Sequence, residues 1–206
     1  MKLHLGCGPY FVKNWVNVDY SLGARLAHLP VVGAVVRRTG VFNIAWNPEI
    51  ILHDLTRPLP WPDESAEHIY SSHTLEHLRR EDGQRLLEEC FRILRPGGSL
   101  RIVVPDLAEI VGDYTSGAVP CEKFVESLLV LKNRRASRKH QLLGMFDDGH
   151  LHKCMYDTPG LVEILNRVGF DAAPRNAHES NIPGIEEIEK VDRTVRAVVV
   201  EGTKPV

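Results

Sequence analysis

Two glycines flank a cysteine at Gly6-Cys7-Gly8, directly after the apolar run Lys2 to Leu5, and an aspartate, Asp19, closes the next apolar run. Glycines at such a turn let the backbone bend sharply and approach a ligand with no side chain in the way. A carboxylate ending the neighbouring run can accept both hydroxyl hydrogens of a ribose, each charge-assisted bond contributing roughly 1.5–3 kcal/mol. Each feature also has a plain structural reading, a tight turn for the GxG and a strand-end or capping residue for the aspartate.

A second group is rich in histidine. His73-Thr74-Leu75-Glu76-His77 spells HxxEH, a zinc-peptidase signature whose two histidines would share one face of a helix. The match begins at the end of an expected strand rather than inside a helix. The plainer reading packs Leu75 and Leu78 inward and turns Glu76 and His77 to solvent or to the glycine loop. His150, His152 and Cys154 alternate in GHLHKC. On an extended segment they would share one side, as a metal needs, or form a polar loop edge. The expectation from both stretches is no metal. Asp106 follows Pro105 at a strand end and reads as the N-cap of a helix over 107–114, or as a group that binds substrate.

These residues need elements to hold them. The apolar runs predict strands at Lys2–Leu5, Val16–Asp19, 49–53, 67–71, Ser99–Val104 and Arg193–Val200. The fifth is launched by the turn Pro96-Gly97-Gly98. In 81–94, Leu86, Leu87, Cys90, Phe91 and Leu94 share one helical face. In 158–168, Thr158 can cap, Pro159 suits the first turn, and Leu161, Val162, Ile164, Leu165 and Val168 face inward before Gly169 ends the helix. Strands alternating with helices predict an α/β fold: a Rossmann-like, doubly wound, mostly parallel sheet, with helices on both faces and an antiparallel C-terminal strand. Such sheets bind ligands beyond the carboxyl ends of their strands. Only Pro9 to Trp15 separate the glycine turn from the second strand, where a crossover usually takes a dozen residues or more. The first helix is therefore stunted or absent, with Trp15 and Phe11 filling its place.

The bulk numbers bound the function. The 206 residues, 43% hydrophobic and 25% charged, suit one domain with a substantial core, 1–206, carrying insertions at about 22–48 and 107–156. A net charge of -2 argues against nonspecific nucleic-acid binding. Cys7, Cys90, Cys121 and Cys154 are far apart and form no CxxC, which suits reduced thiols in a cytoplasmic protein. MKLHLGCG lacks the apolar core of a signal peptide, and no apolar stretch is long enough to span a bilayer. The basic stretch 132–140 reads as a solvated helix face or as a grip for a phosphorylated or lipid-linked substrate. Residues 26–44 read as a lid, a packed helix or a surface in peripheral contact with a membrane.

Taken in order, LHLGCG…NVD at 3–19, HDL at 53–55, LPWPDESAEHIYSSHTLEHL at 59–78 and RILRPGGSLRIVVPD at 92–106 resemble class I S-adenosylmethionine-dependent methyltransferases. The likeness is to the small type 11-like members, often associated with bacterial surface-polysaccharide genes, and it continues weakly through HKCMYDTPGLVEILNRVGF at 152–170. Where that family commonly has a further glycine, this chain has Pro9 and Tyr10. The resemblance implies that Gly6, Cys7 and Gly8 line the amino-acid end of S-adenosylmethionine. It implies that Asp19 and Tyr20 hold the ribose, that Asp54 and Leu55 meet the adenine, and that Ser72 and His73 lie near the transferring methyl. It also makes His152, Lys153 and Tyr156 candidates for the acceptor's side of the site.

The resulting expectation is methyl transfer to an acceptor such as a small molecule, a sugar or a polysaccharide or lipid precursor. His73, His152 and Asp106 are the candidate catalytic residues, either histidine serving as base for a hydroxyl acceptor. The alternatives are a nicotinamide-dependent reductase, which uses the same glycine turn and acidic residue, and a noncatalytic cofactor-binding protein. Against the reductase, no tyrosine here has a lysine four positions later.

Overall fold

A computed structural model describes residues 1–29, 46–130 and 151–206. The basic stretch 132–140, His150 and most of the 26–44 segment lie outside the described residues. Seven strands form one sheet: β1 (Lys2–Leu5), β2 (Val16–Asp19), β3 (Ile51–Leu52), β4 (Ala66–Ser72), β5 (Leu94–Pro105), β6 (Asp171–Pro174) and β7 (Ala197–Thr203). The order is β3-β2-β1-β4-β5-β7-β6. The pairs from β3 across to β5 are parallel, whereas β7 runs antiparallel to both β5 and β6. The mostly parallel sheet and the antiparallel C-terminal strand thus follow the sequence pattern. The order reverses direction between β1 and β4, which opens a crevice at their carboxyl ends.

Helices α1 (Leu22–Ala27), α2 (Arg80–Ile93), α3 (Leu107–Thr115), α4 (Cys121–Ser127), α5 (Thr158–Val168) and α6 (Val191–Thr194) complete the described elements, with 3₁₀ turns at Leu75–His77 and Ile185–Glu187. Strand alternation divides the core in two. Leu3, Leu5, Ile69, Leu100, Ile102, Val104, Val198 and Val200 face α2 and α5, meeting Leu86, Leu87, Cys90, Leu161 and Leu165. Each such fully buried aliphatic side chain contributes about 1.5–3 kcal/mol. Tyr70, Val103 and Val199 face the other way, onto Trp15, Ile182, Ile185 and Ile188. Trp15 is buried in place of a first-crossover helix, as the short spacing required.

That second face is held by a buried ion network that sequence reading missed. Arg101 on β5 donates from Nε and Nη2 to the Glu189 carboxylate at 2.6 and 2.7 Å, and from Nη1 to Glu201 at 3.3 Å. It also donates to the carbonyls of Asn176 and Glu179. All three charged side chains are at most 1% exposed. The segment running into α6 is thereby fixed over the sheet.

Several boundaries differ from expectation. The third strand shrinks from 49–53 to Ile51–Leu52, because Asn47 turns the chain by accepting from the Glu49 and Ile50 amides. The last strand begins at Ala197, after Arg193 and Thr194 are taken into α6 and the chain turns at Arg196 with φ 56°. Asp157, rather than Thr158, caps α5 by accepting from the Gly160 amide. Finally β5 starts at Leu94, with Pro96-Gly97-Gly98 projecting from it where the register to β4 shifts. Among the described residues no helix is long and apolar enough to cross a membrane.

Candidate functional site

The glycine turn is shaped by two backbone demands. The Gly6 and Cys7 amides both donate to the Val18 carbonyl, at 2.9 and 3.0 Å, folding the end of β1 against β2. Gly6 has φ +68°, and a Cβ there would lie 2.0 Å from the Thr74 hydroxyl oxygen. Gly8 has φ +56°, and its missing side chain faces open space. The first glycine is required by a packed neighbour, the second by its conformation and by the hollow it borders.

That hollow has a volume of about 510 Å³, within the range of small-molecule sites. Gly6, Cys7, Gly8, Asp19, Tyr20, Asp54, Leu55 and His73 all line it. These residues come from β1, β2 and the loops after β2, β3 and β4, so the sheet's carboxyl edge brings them together. Ser72 borders an adjoining smaller cavity that shares Gly6, Cys7, Tyr10 and Arg193 with it.

Asp19 is 7% exposed, and its two oxygens accept from the Gly8 and Ser21 amides, each at 2.8 Å. The carboxylate therefore shapes the glycine turn and still has lone pairs for a ligand. Asp54 sits at the other side of the hollow. Its Oδ1 accepts from the Thr56 amide and hydroxyl, leaving Oδ2 with Arg57 at 3.8 Å. Burial pushes this carboxyl up, but the Thr56 bonds and the Arg57 and His53 charges outweigh it and hold it below the usual range. Burial, aided by the Asp19 charge, pushes the Cys7 thiol up to about 12. Cys7 is thus a small apolar wall rather than a nucleophile.

Of the three candidate catalytic residues, His73 lines the hollow and His152 and Asp106 do not. His73 lines the hollow at the end of β4 with φ 52°, but its Nε2 donates to the Arg193 carbonyl at 2.9 Å and its Nδ1 faces Glu76 at 3.4 Å. Nε2 is therefore occupied, while Nδ1 is directed at a buried carboxylate. His152 is buried behind the hollow's wall, and burial lowers its pKa. Asp106 caps α3 by accepting from the Ala108 amide at 2.8 Å and does not line the hollow. Of the acceptor-side candidates, Lys153 lines the hollow, whereas Tyr156 borders a different depression beside α2 and α5. Glu76, expected to face solvent or the glycine loop, is fully buried, because the 3₁₀ turn Leu75–His77 directs both Leu75 and Glu76 inward.

Sequence reading missed Tyr10, Trp46, Thr74 and Arg193 as lining residues. Arg193 reaches Ser72 from Nε and Nη2, and Lys190 lies 3.9 Å from the centre of the Tyr10 ring. The signal was present in the KVDRT cluster of charges, which a strand reading of 193–200 obscured.

Residues 3–102 match the Methyltransferase domain family. A probable S-adenosylmethionine-dependent methyltransferase of Mycolicibacterium smegmatis is 38% identical over 56 residues, which is 27% of this chain and 21% of that protein. Residues 3–102 thus carry the sequence pattern of a methyltransferase domain. The chain spans about a fifth of the length of that curated relative. Solved structures share the methyltransferase fold at low identity. One comes from the Haloferax volcanii complex between the Trm112 methyltransferase activator and its methyltransferase partner. It has a TM-score of 0.53 and 17% identity, covering 100% of this chain and 82% of that one. A methyltransferase of Archaeoglobus fulgidus has a TM-score of 0.50 and 16% identity, covering 98% and 85%. At these identities the likeness concerns the fold alone.

Proposed function

We propose that this chain binds S-adenosylmethionine in the hollow at the carboxyl ends of β1, β2 and β4, and transfers its methyl group to a small-molecule or glycan-type acceptor. The observation that carries this reading is convergence. Gly6–Gly8, Asp19 and Asp54, distant in sequence, line one hollow of nucleoside size. The open space beside Gly8 supports the fit, since any side chain there would enter the hollow.

When bound, the sulfonium supplies an electrophilic methyl group on a good leaving group. Asp19 accepts the ribose hydroxyls with the lone pairs its two amide donors leave. Asp54 accepts from the adenine amine through Oδ2, and Leu55 and Leu78 give the ring apolar walls. The Arg193 guanidinium, beside Ser72 and Tyr10, provides the positive charge for the carboxylate of the amino-acid end. Orientation is this protein's main contribution, since proximity alone supplies much of the rate in such a displacement. With Nε2 of His73 bonded to the Arg193 carbonyl and Nδ1 directed at Glu76, an acceptor whose proton leaves to solvent or that needs no base is favoured.

Calorimetry with S-adenosylhomocysteine and NADH tests the cofactor. Binding of the first and not the second is expected, and the reverse would sink the proposal in favour of a reductase. Binding of S-adenosylhomocysteine with no transfer from S-adenosylmethionine to any of a panel of sugars, lipids and small alcohols would point to a noncatalytic binding protein.

A further inference from the structure

Behind one wall of the hollow, the turn that ends β4 is stitched to the segment before α5. The Lys153 and Cys154 amides both donate to the Glu76 carbonyl, at 2.7 and 3.1 Å. The His77 ring meets the Leu151 carbonyl across 74 positions of sequence. This brings one ligand atom each of Glu76, His77 and His152 within 4.8 Å of one another.

The polar groups there do not satisfy each other. The Glu76 side chain is 1% exposed, and neither carboxylate oxygen has a hydrogen-bond partner among the described residues. The His152 Nδ1 is equally buried and unpartnered. His77 Nδ1 lies 3.2 Å from the Leu151 carbonyl and so carries the proton, which leaves a lone pair on Nε2, 3.9 Å from Glu76 Oε1. His73 repeats the arrangement: Nε2 donates to Arg193, and Nδ1 stands 3.4 Å from the same oxygen. A carboxylate that can only accept thus faces nitrogens of His73 and His77 whose neutral rings carry their hydrogen on the other nitrogen, bonded to a backbone carbonyl. Buried polar groups are very rarely left in this state, and a cation is what such an arrangement lacks.

We propose that Glu76, His77 and His152 bind a divalent transition-metal ion, zinc being well suited to two imidazoles and a carboxylate. This donor set leaves one coordination position for water or a ligand. The bond from His77 Nδ1 to the Leu151 carbonyl fixes that ring's tautomer and aims Nε2, as partners behind a metal ligand do. Ligands of a tetrahedral zinc ion stand about 3.4 Å apart at bond lengths of about 2.0–2.2 Å, so small ring rotations close the cluster. The site differs from the peptidase reading of HxxEH. Glu76 is a ligand rather than a base, His73 is outside the triad, and the third ligand comes from the 151–154 segment. It runs against the expectation, from sequence, of no metal.

The test uses the full chain, stripped with EDTA and titrated with Co(II) by visible absorption and with Zn(II) by calorimetry. Saturable, equimolar binding is expected, with cobalt bands bleached by added zinc. Glu76→Gln and His152→Ala should each lower zinc affinity about 100-fold or more. The Gln amide also supplies hydrogens to the ring nitrogens, so the Tm of Glu76→Gln in EDTA should equal or exceed that of the stripped wild type. A stripped chain that unfolds and recovers on zinc addition also supports the site. Absence of saturable binding of either ion by folded wild type would overturn the proposal, as would wild-type affinity in both variants. S-adenosylhomocysteine binding, measured on the same samples, reports separately: its loss with zinc binding intact counts against the methyl-donor reading and not against the metal.

Discussion

Replacing Asp19 separates its two roles. In the structure its carboxylate holds the Gly8 and Ser21 amides at 2.8 Å each, from a nearly buried position. Asp19→Ala removes two charge-assisted bonds at about 1.5 kcal/mol or more apiece, so about 3 kcal/mol of stability. For a chain of this length that corresponds to a fall in Tm of roughly 6–12 °C. Loss of the ribose contact should weaken S-adenosylhomocysteine binding by a further ten- to hundredfold, or about 1.4–2.8 kcal/mol. Asp19→Asn divides the effects. It keeps one acceptor oxygen for the turn, so it should lose about half as much stability, yet it lacks the charge that strengthens the ribose bonds. Thermal melts and calorimetry on wild type, Asn and Ala variants provide both numbers. A folded Ala variant with unchanged affinity would remove Asp19 from the ligand site, and unchanged Tm values would refute its role in the turn.

Other substitutions probe the supports of the site. Gly6→Ala drives a methyl group into the Thr74 side chain, so it should lose S-adenosylhomocysteine binding, and pairing it with Thr74→Ala, which removes the two nearest clashing atoms, should restore part of that loss in calorimetry. Arg101→Met leaves Glu189 and Glu201 buried without their partner and should cost about 3–5 kcal/mol by denaturant melts. Iodoacetamide at pH 8 should label exposed Cys121 quickly and spare buried Cys7 and Cys90 until the chain is unfolded. A Cys7 thiol pushed up to about 12 is thiolate in only about one part in ten thousand at that pH, so rapid labelling of Cys7 in the folded chain would contradict its environment.

The parallel core was legible because local signals and packing agree. Leu100, Ile102 and Val104 alternate with Arg101 and Val103, and both sets are buried, as a strand covered on both faces requires. The glycine turn and the carboxylates at the strand ends were legible for a related reason. Parallel strands carry their carboxyl ends to one edge, so residues that close successive strands must meet there. What could not be read was the cover over the second face. The segment 176–195 has short turns and no sustained period, and its position depends on Arg101 meeting Glu189 across 88 positions. No local pattern encodes such a pairing, and with it went the placement of Arg193 over the hollow.

Glu76 shows the same limit from the opposite side. Its neighbours spell a motif whose chemistry assumes a helix, and a polar residue beside a strand end is ordinarily solvated. The chain instead makes a single 3₁₀ turn, with His73 at positive φ two residues before it, and the carboxylate is carried inward. Burying it is tolerable only with compensation, and the compensating groups come from Leu151–Cys154, beyond a long intervening segment. The metal proposal and the fold therefore depend on one another. The backbone bonds from Lys153 and Cys154 to Glu76 bring His152 to the carboxylate, and an ion held there would in turn fasten the 151–154 segment to the end of β4. Removing the ion should then loosen that seam before the sheet. Amide exchange at Lys153 and Cys154 should accelerate in EDTA, while β4 and β5 stay protected. Equal protection at both places, with and without zinc, would show that the seam needs no ion.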